Sequence, residues 1–293
     1  MPDDRHSFTA CSIAAILLLA VTLQLQGCGD EPPPPPAPPV QPPPPPVADR
    51  VNDLIELLRD QETLKSARTE LLEIGTEATP TYFERMQDEN SVIRWELASL
   101  QGEIHDQRAL LPLVLCVLHD TDVAVRERAM WALSRFPRHA AATAQLENAL
   151  ESADETTRWR AAVALVRLRV SSGVSIVNEG LADPARRGEA LGVLGQISDE
   201  STAPAITAAF GDYDVIERQR AVMVLATCEG EAAVDALIAA LGDEAVEVRW
   251  RACFALAQTG DDRAVESLEA LQGRETDPMV LKHAKKALLK LRR

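Results

Sequence analysis

The amino-acid sequence predicts an all-α protein, a solenoid of stacked helix pairs, and three observations predict it. Aromatic residues make up only 4% of a 293-residue chain that is 46% hydrophobic. A core of that composition is built from Ala, Leu and Val, which suits close-packed helices better than a β-sandwich. A Val-Arg-x-x-Ala-x-x-(Ala/Val)-Leu pattern recurs from residue 48 onward, its arginine position returning every 29 to 32 residues. Apolar residues stand three, seven and ten places past that arginine, the spacing of one helix face.

Two segments precede the repeats. Phe8 to Leu25 is an apolar run interrupted by Thr9, Ser12, Thr22 and Gln24, and it falls short of the ~20 apolar residues of a comfortable membrane span. It reads as the hydrophobic region of a signal peptide occupying residues 1–27. The closing Leu25-Gln26-Gly27-Cys28 resembles the bacterial lipobox. That resemblance implies that Cys28 is lipidated and becomes the mature N-terminus. With Gly29 rather than Asp following, it also implies the periplasmic face of the outer membrane, within the bacterial cell envelope. The alternative is an uncleaved N-terminal anchor or a signal without lipid. From Pro32 to Pro46, 12 of 15 residues are proline. Fixed φ and missing amide donors make this a polyproline II rod, about 45 Å long at ~3.1 Å per residue. Residues 28–47 thus read as a lipidated cysteine plus tether, holding a repeat domain, 48–293, off the lipid.

The second helix of each repeat carries the arginine: Arg94, Arg126, Arg158, Arg187, Arg218 and Arg249, with Leu64 and Leu281 at that position in the first and last copies. Three places on stand Ala67, Leu97, Ala129, Ala161, Ala190, Ala221, Ala252 and Ala284. Seven places on stand Leu71, Gln101, Leu133, Leu165, Leu194, Leu225, Leu256 and Leu288. Small Ala in this stripe lets neighbouring helices approach closely. The first helix is marked by Tyr82, Val114, Leu146, Ile206 and Leu237, twelve residues before the arginine position. Between the two helices an Asp recurs six residues before it (Asp88, Asp120, Asp212, Asp243) or four before it (Asp122, Asp154, Asp183, Asp214, Asp277). An Asp there accepts from the first free amides of the second helix and complements its dipole.

Helix, Asp-rich turn, helix, at a period near 31, resembles the HEAT repeat, in particular the variety named after phycobilisome lyases. Ala109-Leu110-Leu111-Pro112-Leu113 carries the proline of the first helix, and Val125-Arg126 and Val248-Arg249 carry the Val-Arg pair. Copies five and six are weaker, with Arg186 and Glu217 at the valine position. The resemblance implies a right-handed superhelix of about eight helix pairs. It also implies that the recurrent Arg and Asp form a ladder of hydrogen bonds between repeats, which makes the arginine series structural.

The same survey narrows the chemistry. A net charge of −15 opposes nucleic-acid binding. His6, His105, His119, His139 and His283 show no metal-ligand spacing, so the His-Glu iron site of deoxyhypusine hydroxylase, an enzyme of the same repeat family, is not expected. Nucleophile-elbow, P-loop and dinucleotide signatures are missing, so neither catalysis nor a metal or cofactor is expected. Cys116, Cys228 and Cys253 read as small buried hydrophobes rather than as a disulfide framework. Residues 278 to 293 hold six Lys or Arg and no acid, which suits a capping helix or a basic docking patch.

Tryptophan placement is the most informative signal. Positions one, five and eight past the arginine point away from the core stripe, onto the face that the family resemblance places on the concave side. All four tryptophans fall there, as Trp95, Trp131, Trp159 and Trp250, together with Val163, Met223 and Phe254. Gly188, Gly192 and Gly195 fall there too, leaving a smooth floor. This face reads as poor in charge and either binds a partner or packs its rings sideways on neighbouring repeats. The expected function is a membrane-anchored scaffold, a monomer, that binds an envelope protein or peptide in its concave groove. The alternative is an assembly lipoprotein that works through its ends and its acidic back, with a cryptic lyase-like enzyme as a distant third.

Overall fold

A computed structural model describes residues 46–137 and 139–292. The signal segment, Cys28 and nearly all of the tether lie outside the described residues. Among those residues there are sixteen α-helices and no strand. In chain order they are α1 (Val47–Leu57), α2 (Gln61–Ile74), α3 (Thr79–Arg85), α4 (Ser91–Ile104), α5 (Leu110–His119), α6 (Val123–Arg135), α7 (Ala140–Ala149) and α8 (Glu155–Arg167). They continue with α9 (Val174–Glu179), α10 (Pro184–Leu194), α11 (Thr202–Ala209), α12 (Val215–Leu225), α13 (Glu231–Ala240), α14 (Val246–Thr259), α15 (Ala264–Arg274) and α16 (Pro278–Leu291). Every even-numbered helix is the second of a repeat.

Sequence chemistry sets where the second helices begin. Asp122, Asp154, Asp183, Asp214 and Asp277 each accept a bond from an amide in the first turn of α6, α8, α10, α12 and α16. Asp60 and Asn90, at the same place in the first two copies, cap α2 and α4 likewise. Each such cap is worth about 1 kcal/mol. Ala245 occupies the cap position of α14, and there Asp243, two residues upstream, accepts from the Ala245 amide at 2.8 Å.

Odd helices stack in one layer and even helices in another, α4 on α6, α10 on α12, α12 on α14 and α14 on α16. The residues three and seven past the arginine position are buried in all eight copies, as the helical stripe requires. Ten past, Phe136, Leu168 and Cys228 are buried, whereas Ile74, Ile104, Ile197, Thr259 and Leu291 lie half-buried at the helix ends. One junction differs. α6 and α8 scarcely touch, and α8 packs instead on α5, α7 and α9. The apolar core divides there. Ala161, Ala164, Leu165 and Leu168 join a cluster that starts at Val51, while Trp159, Ala162, Val163 and Val166 join one that runs to Leu288.

Among the described residues the three cysteines are buried free thiols, pushed up by burial to about 12 at Cys116, about 11 at Cys228 and about 12 at Cys253. No helix among the described residues is long and apolar enough to cross a membrane.

Candidate binding groove

The arginine position carries the repeat-to-repeat ties. Arg94 donates from Nε and Nη2 to Asp120 at 2.8 and 2.8 Å, while its Nη1 donates to the carbonyls of Asp88 at 2.7 Å and Glu89 at 3.2 Å. Arg218 grips Asp243 at 2.8 and 3.1 Å, and Arg249 grips Glu275 at 2.7 and 3.2 Å. Bidentate pairs of this kind are the strong charge-assisted form. The hydrogen bonds from Arg249, working against burial, hold the Glu275 carboxyl down at about 2. Arg187, buried in the core, donates to Leu181 O, Asp212 O and Glu217.

Two rungs depart from the expected ladder. Arg126 and Arg158 keep the bonds to their own turns, Asp120 O and Thr121 O for one, Ser152 O and Ala153 O for the other. Among the described residues neither meets a carboxylate. The cause is plain in the chain: the place that holds Asp120 for Arg94 holds Ser152 for Arg126 and Leu181 for Arg158. At this open junction Arg160 crosses over to donate to Leu118 O at 2.7 Å. Burial, and the Arg126 charge beside it, pull the Arg160 guanidinium below its ordinary pKa.

The tryptophan face also differs from its expected form. Trp159 is 7% exposed and Val163 is equally buried, so both belong to the core rather than to a groove. The Trp159 ring lies where a side chain on residue 180 would stand, so that a Cβ on Gly180 would come within 2.4 Å of it, and its Nε1 donates to Glu189 at 2.7 Å. The physical reason is that α8 packs on α5, α7, α9 and α10, and the Trp159 ring fills the space that Gly180 leaves open. Trp95, Trp131 and Trp250 are half-buried. Met223 and Phe254 are 40% and 38% exposed, Gly188 is half-buried, and Gly192 and Gly195 are exposed. Nothing would meet a Cβ on Gly192, and one on Gly195 would find Val224 at an ordinary 3.7 Å, so these glycines serve open surface rather than tight packing.

Nor is the face poor in charge. A second arginine column, two residues past the first, was missed: Arg128, Arg160, Arg220 and Arg251. Its signal is the recurring Arg-x-Arg, as in Arg126-Glu127-Arg128 and Arg249-Trp250-Arg251. Arg128 lies 3.8 Å from the Trp95 ring centre and 4.7 Å from that of Trp131, and Arg251 lies 4.3 Å from that of Trp250. The Trp250 ring also sits 5.0 Å from His283. Cation–π stacking therefore covers these rings from above.

Two hollows run along this face and share Gly192 and Gln196. One, of about 380 Å³, lies between Trp131, Arg167 and Glu189; the other, of about 620 Å³, lies between α10 and α12 and reaches Arg251 of α14. Glu127 beside the first is paired with Arg167 at 2.5 Å. Among the described residues no group of three or more His, Cys, Asp or Glu is placed to hold a metal ion. What the groove offers is apolar contact, amide hydrogen bonding and positive charge.

Stacked helix pairs with a recurring arginine, several of which tie one repeat to the next, define an α-solenoid repeat protein. The profile for HEAT repeats matches residues 79–166 and 204–289, more than half of the chain, and the chain belongs to the HEAT-repeat family. The stretch between the two matches holds the short α9 and the glycine-bearing α10. Among solved structures, the Escherichia coli protein YibA is similar at 17% identity, over 84% of this chain and 95% of its own, with a TM-score of 0.53. Human deoxyhypusine hydroxylase in complex with glycerol is 21% identical, over 84% of this chain and 96% of its own, at a TM-score of 0.37. The complex of CpcE and CpcF of phycocyanin lyase from Nostoc is 21% identical, over 50% of this chain and 98% of its own, at 0.37. No curated protein matches the chain. At these identities the likeness reaches the fold alone.

Proposed function

We propose that this HEAT-repeat solenoid is a scaffold of the bacterial cell envelope that binds a protein or peptide partner along its α6–α14 groove without catalysing a reaction. The observation that carries this reading is the pair of open hollows joined across Gly192 and Gln196, with exposed Ile216 and Met223 in their lining and unfilled space above Gly192. Exposed large apolar side chains beside a hollow are what partner sites use as anchors. The signal segment and Cys28 supply the address in this proposal. A protein held by two or three acyl chains, at about 0.8 kcal/mol per buried methylene, stays on its membrane.

Two measurements test it. A photo-reactive amino acid placed at Gly192 or Met223 in living cells is expected to yield a discrete adduct absent when it is placed at Glu147, an exposed α7 residue; equal labelling at both places rejects the groove. Mass spectrometry of the mature protein is expected to show an acylated Cys28 as the first residue, and an unmodified Cys28 rejects the anchor. The second reading, an assembly lipoprotein working through its ends, is favoured by α16, whose outer side presents Leu289, 68% exposed, beside Lys285, Lys286 and Lys290.

A further inference from the structure

We infer that the occupant of the α10–α12 hollow is an extended acidic polypeptide segment whose carboxylates are gripped by Arg220 and Arg251; this rests on the groove reading above and names its partner class. The argument starts from charge. Acidic residues outnumber basic ones in the chain by 45 to 30, and most rungs of the solenoid consume arginines in pairs with them. The larger hollow is the exception. Its lining contains Arg220 and Arg251, the amides of Gln196 and Gln219, and no acidic residue.

The two arginines are also poised differently from those of the ladder. Arg218 and Arg249, their near neighbours in the chain, have their forks filled by Asp243 and Glu275. Arg220 is exposed and meets no carboxylate among the described residues; its Nη1 hangs over α10, 3.9 Å from where a Cβ on Gly188 would stand. Arg251 sits over the Trp250 ring and gives one N–H to the carbonyl of Glu247 on its own helix, leaving its other donors for a ligand. A planar guanidinium held by an aromatic face loses little freedom when it binds a carboxylate, so such a site is preorganised.

Shape selects a chain rather than a single small anion. The hollow continues across Gly192 and Gln196 into its smaller neighbour, and the acids of that neighbour are already engaged, Glu127 by Arg167 and Glu189 by the Trp159 N–H. Space above Gly192 admits a backbone. Gln196 and Gln219 can bond its amides, and Ile216 and Met223, both exposed, offer apolar contact to alternate side chains. Neighbouring helices are spaced by about 8–10 Å and an extended chain rises ~3.3 Å per residue, so carboxylates two residues apart, which share one face, come within reach of the long side chains of Arg220 on α12 and Arg251 on α14 together.

The test is selection of a randomised displayed peptide library on the immobilised full chain, followed by sequencing. The expected pool is enriched in Asp and Glu. A synthetic clone from it should bind at least about tenfold more weakly to the Arg220→Glu, Arg251→Glu double variant, and progressively more weakly as salt rises. The circular dichroism melt of that variant should stay cooperative and close to that of the parent, because Arg220 is exposed and Arg251, half-buried, gives up only its contact with Trp250 and one carbonyl bond. A pool without acidic bias, or a clone indifferent to the double reversal, overturns the acidic partner; the groove itself then stands if Gly192→Leu still abolishes binding. Failure to enrich any peptide overturns both the inference and the groove reading on which it rests.

Discussion

The ends of this solenoid and its middle are built from the same repeat yet held together differently. Toward the ends, Arg94, Arg218 and Arg249 each lock the next repeat through a buried carboxylate. In the middle, Arg126 and Arg158 meet only the carbonyls of their own turns, α6 and α8 scarcely touch, and the core splits. There Trp159, sunk against Gly180, supplies the packing that a rung supplies elsewhere. The contrast teaches that the arginine itself belongs to the repeat, since it ties its own turn in each of the six copies that carry it. The tie between repeats depends on a separate residue that the next copy supplies or omits.

The largest effect should come from the middle's own device. Trp159→Ala is expected to cost about 3–5 kcal/mol in urea denaturation, as large core truncations do; a loss below about 1 kcal/mol would place the ring outside the core. Slightly smaller is the effect of emptying a filled rung. Arg249→Ala strands the Glu275 carboxylate and should cost about 3 kcal/mol, against about 1 kcal/mol for Arg126→Ala, where only carbonyl partners are lost. Equal costs would erase the distinction between the two regions.

Acid should discriminate them as well. Glu275 is held at about 2 against an ordinary 4.5 by its bonds from Arg249. A carboxyl lowered in the folded state stabilises above its unfolded value and loses that contribution as pH falls through the folded one. The C-terminal repeats should therefore loosen between pH 4.5 and about 2, read as a Trp250 fluorescence change, and Glu275→Gln should remove that dependence. The smallest effect is a repair. Ser152→Asp supplies the missing partner of Arg126 and should raise stability by under about 1 kcal/mol, visible as a modest rise in Tm; a fall in Tm would show that the junction is too open for a rung.

Much of the architecture was legible because it is periodic. The residues three and seven past the arginine obey one spacing in every copy, the capping aspartates do so in all but the copies with Asn90 and Ala245, and backbone geometry enforces the spacing locally. The candidate groove was legible only in part. Met223, Phe254, Gly192 and Gly195 lie at the surface as their column implies, whereas Trp159 and Val163 in the same column are buried. A column treats all copies alike, and burial at α8 depends on which helices pack on it, α5, α7, α9 and α10 rather than α6, which no single copy records. The second arginine column escaped notice for a simpler reason. At about 100° per residue, a position two past the first arginine lies only about 60° beyond the one five past it, so Arg128, Arg220 and Arg251 share the edge of the tryptophan face.

The divided core at α8 has a consequence for how the chain comes apart. In an array where each repeat contacts only its neighbours, unfolding spreads until it meets the weakest coupling. That place is the α6–α8 junction, so urea or heat should release one block of helices while the other persists, giving an intermediate rather than a single transition. Amide exchange would then sort the described residues into two cooperative units, with α8, which donates side chains to both cores, changing sides according to which unit melts first.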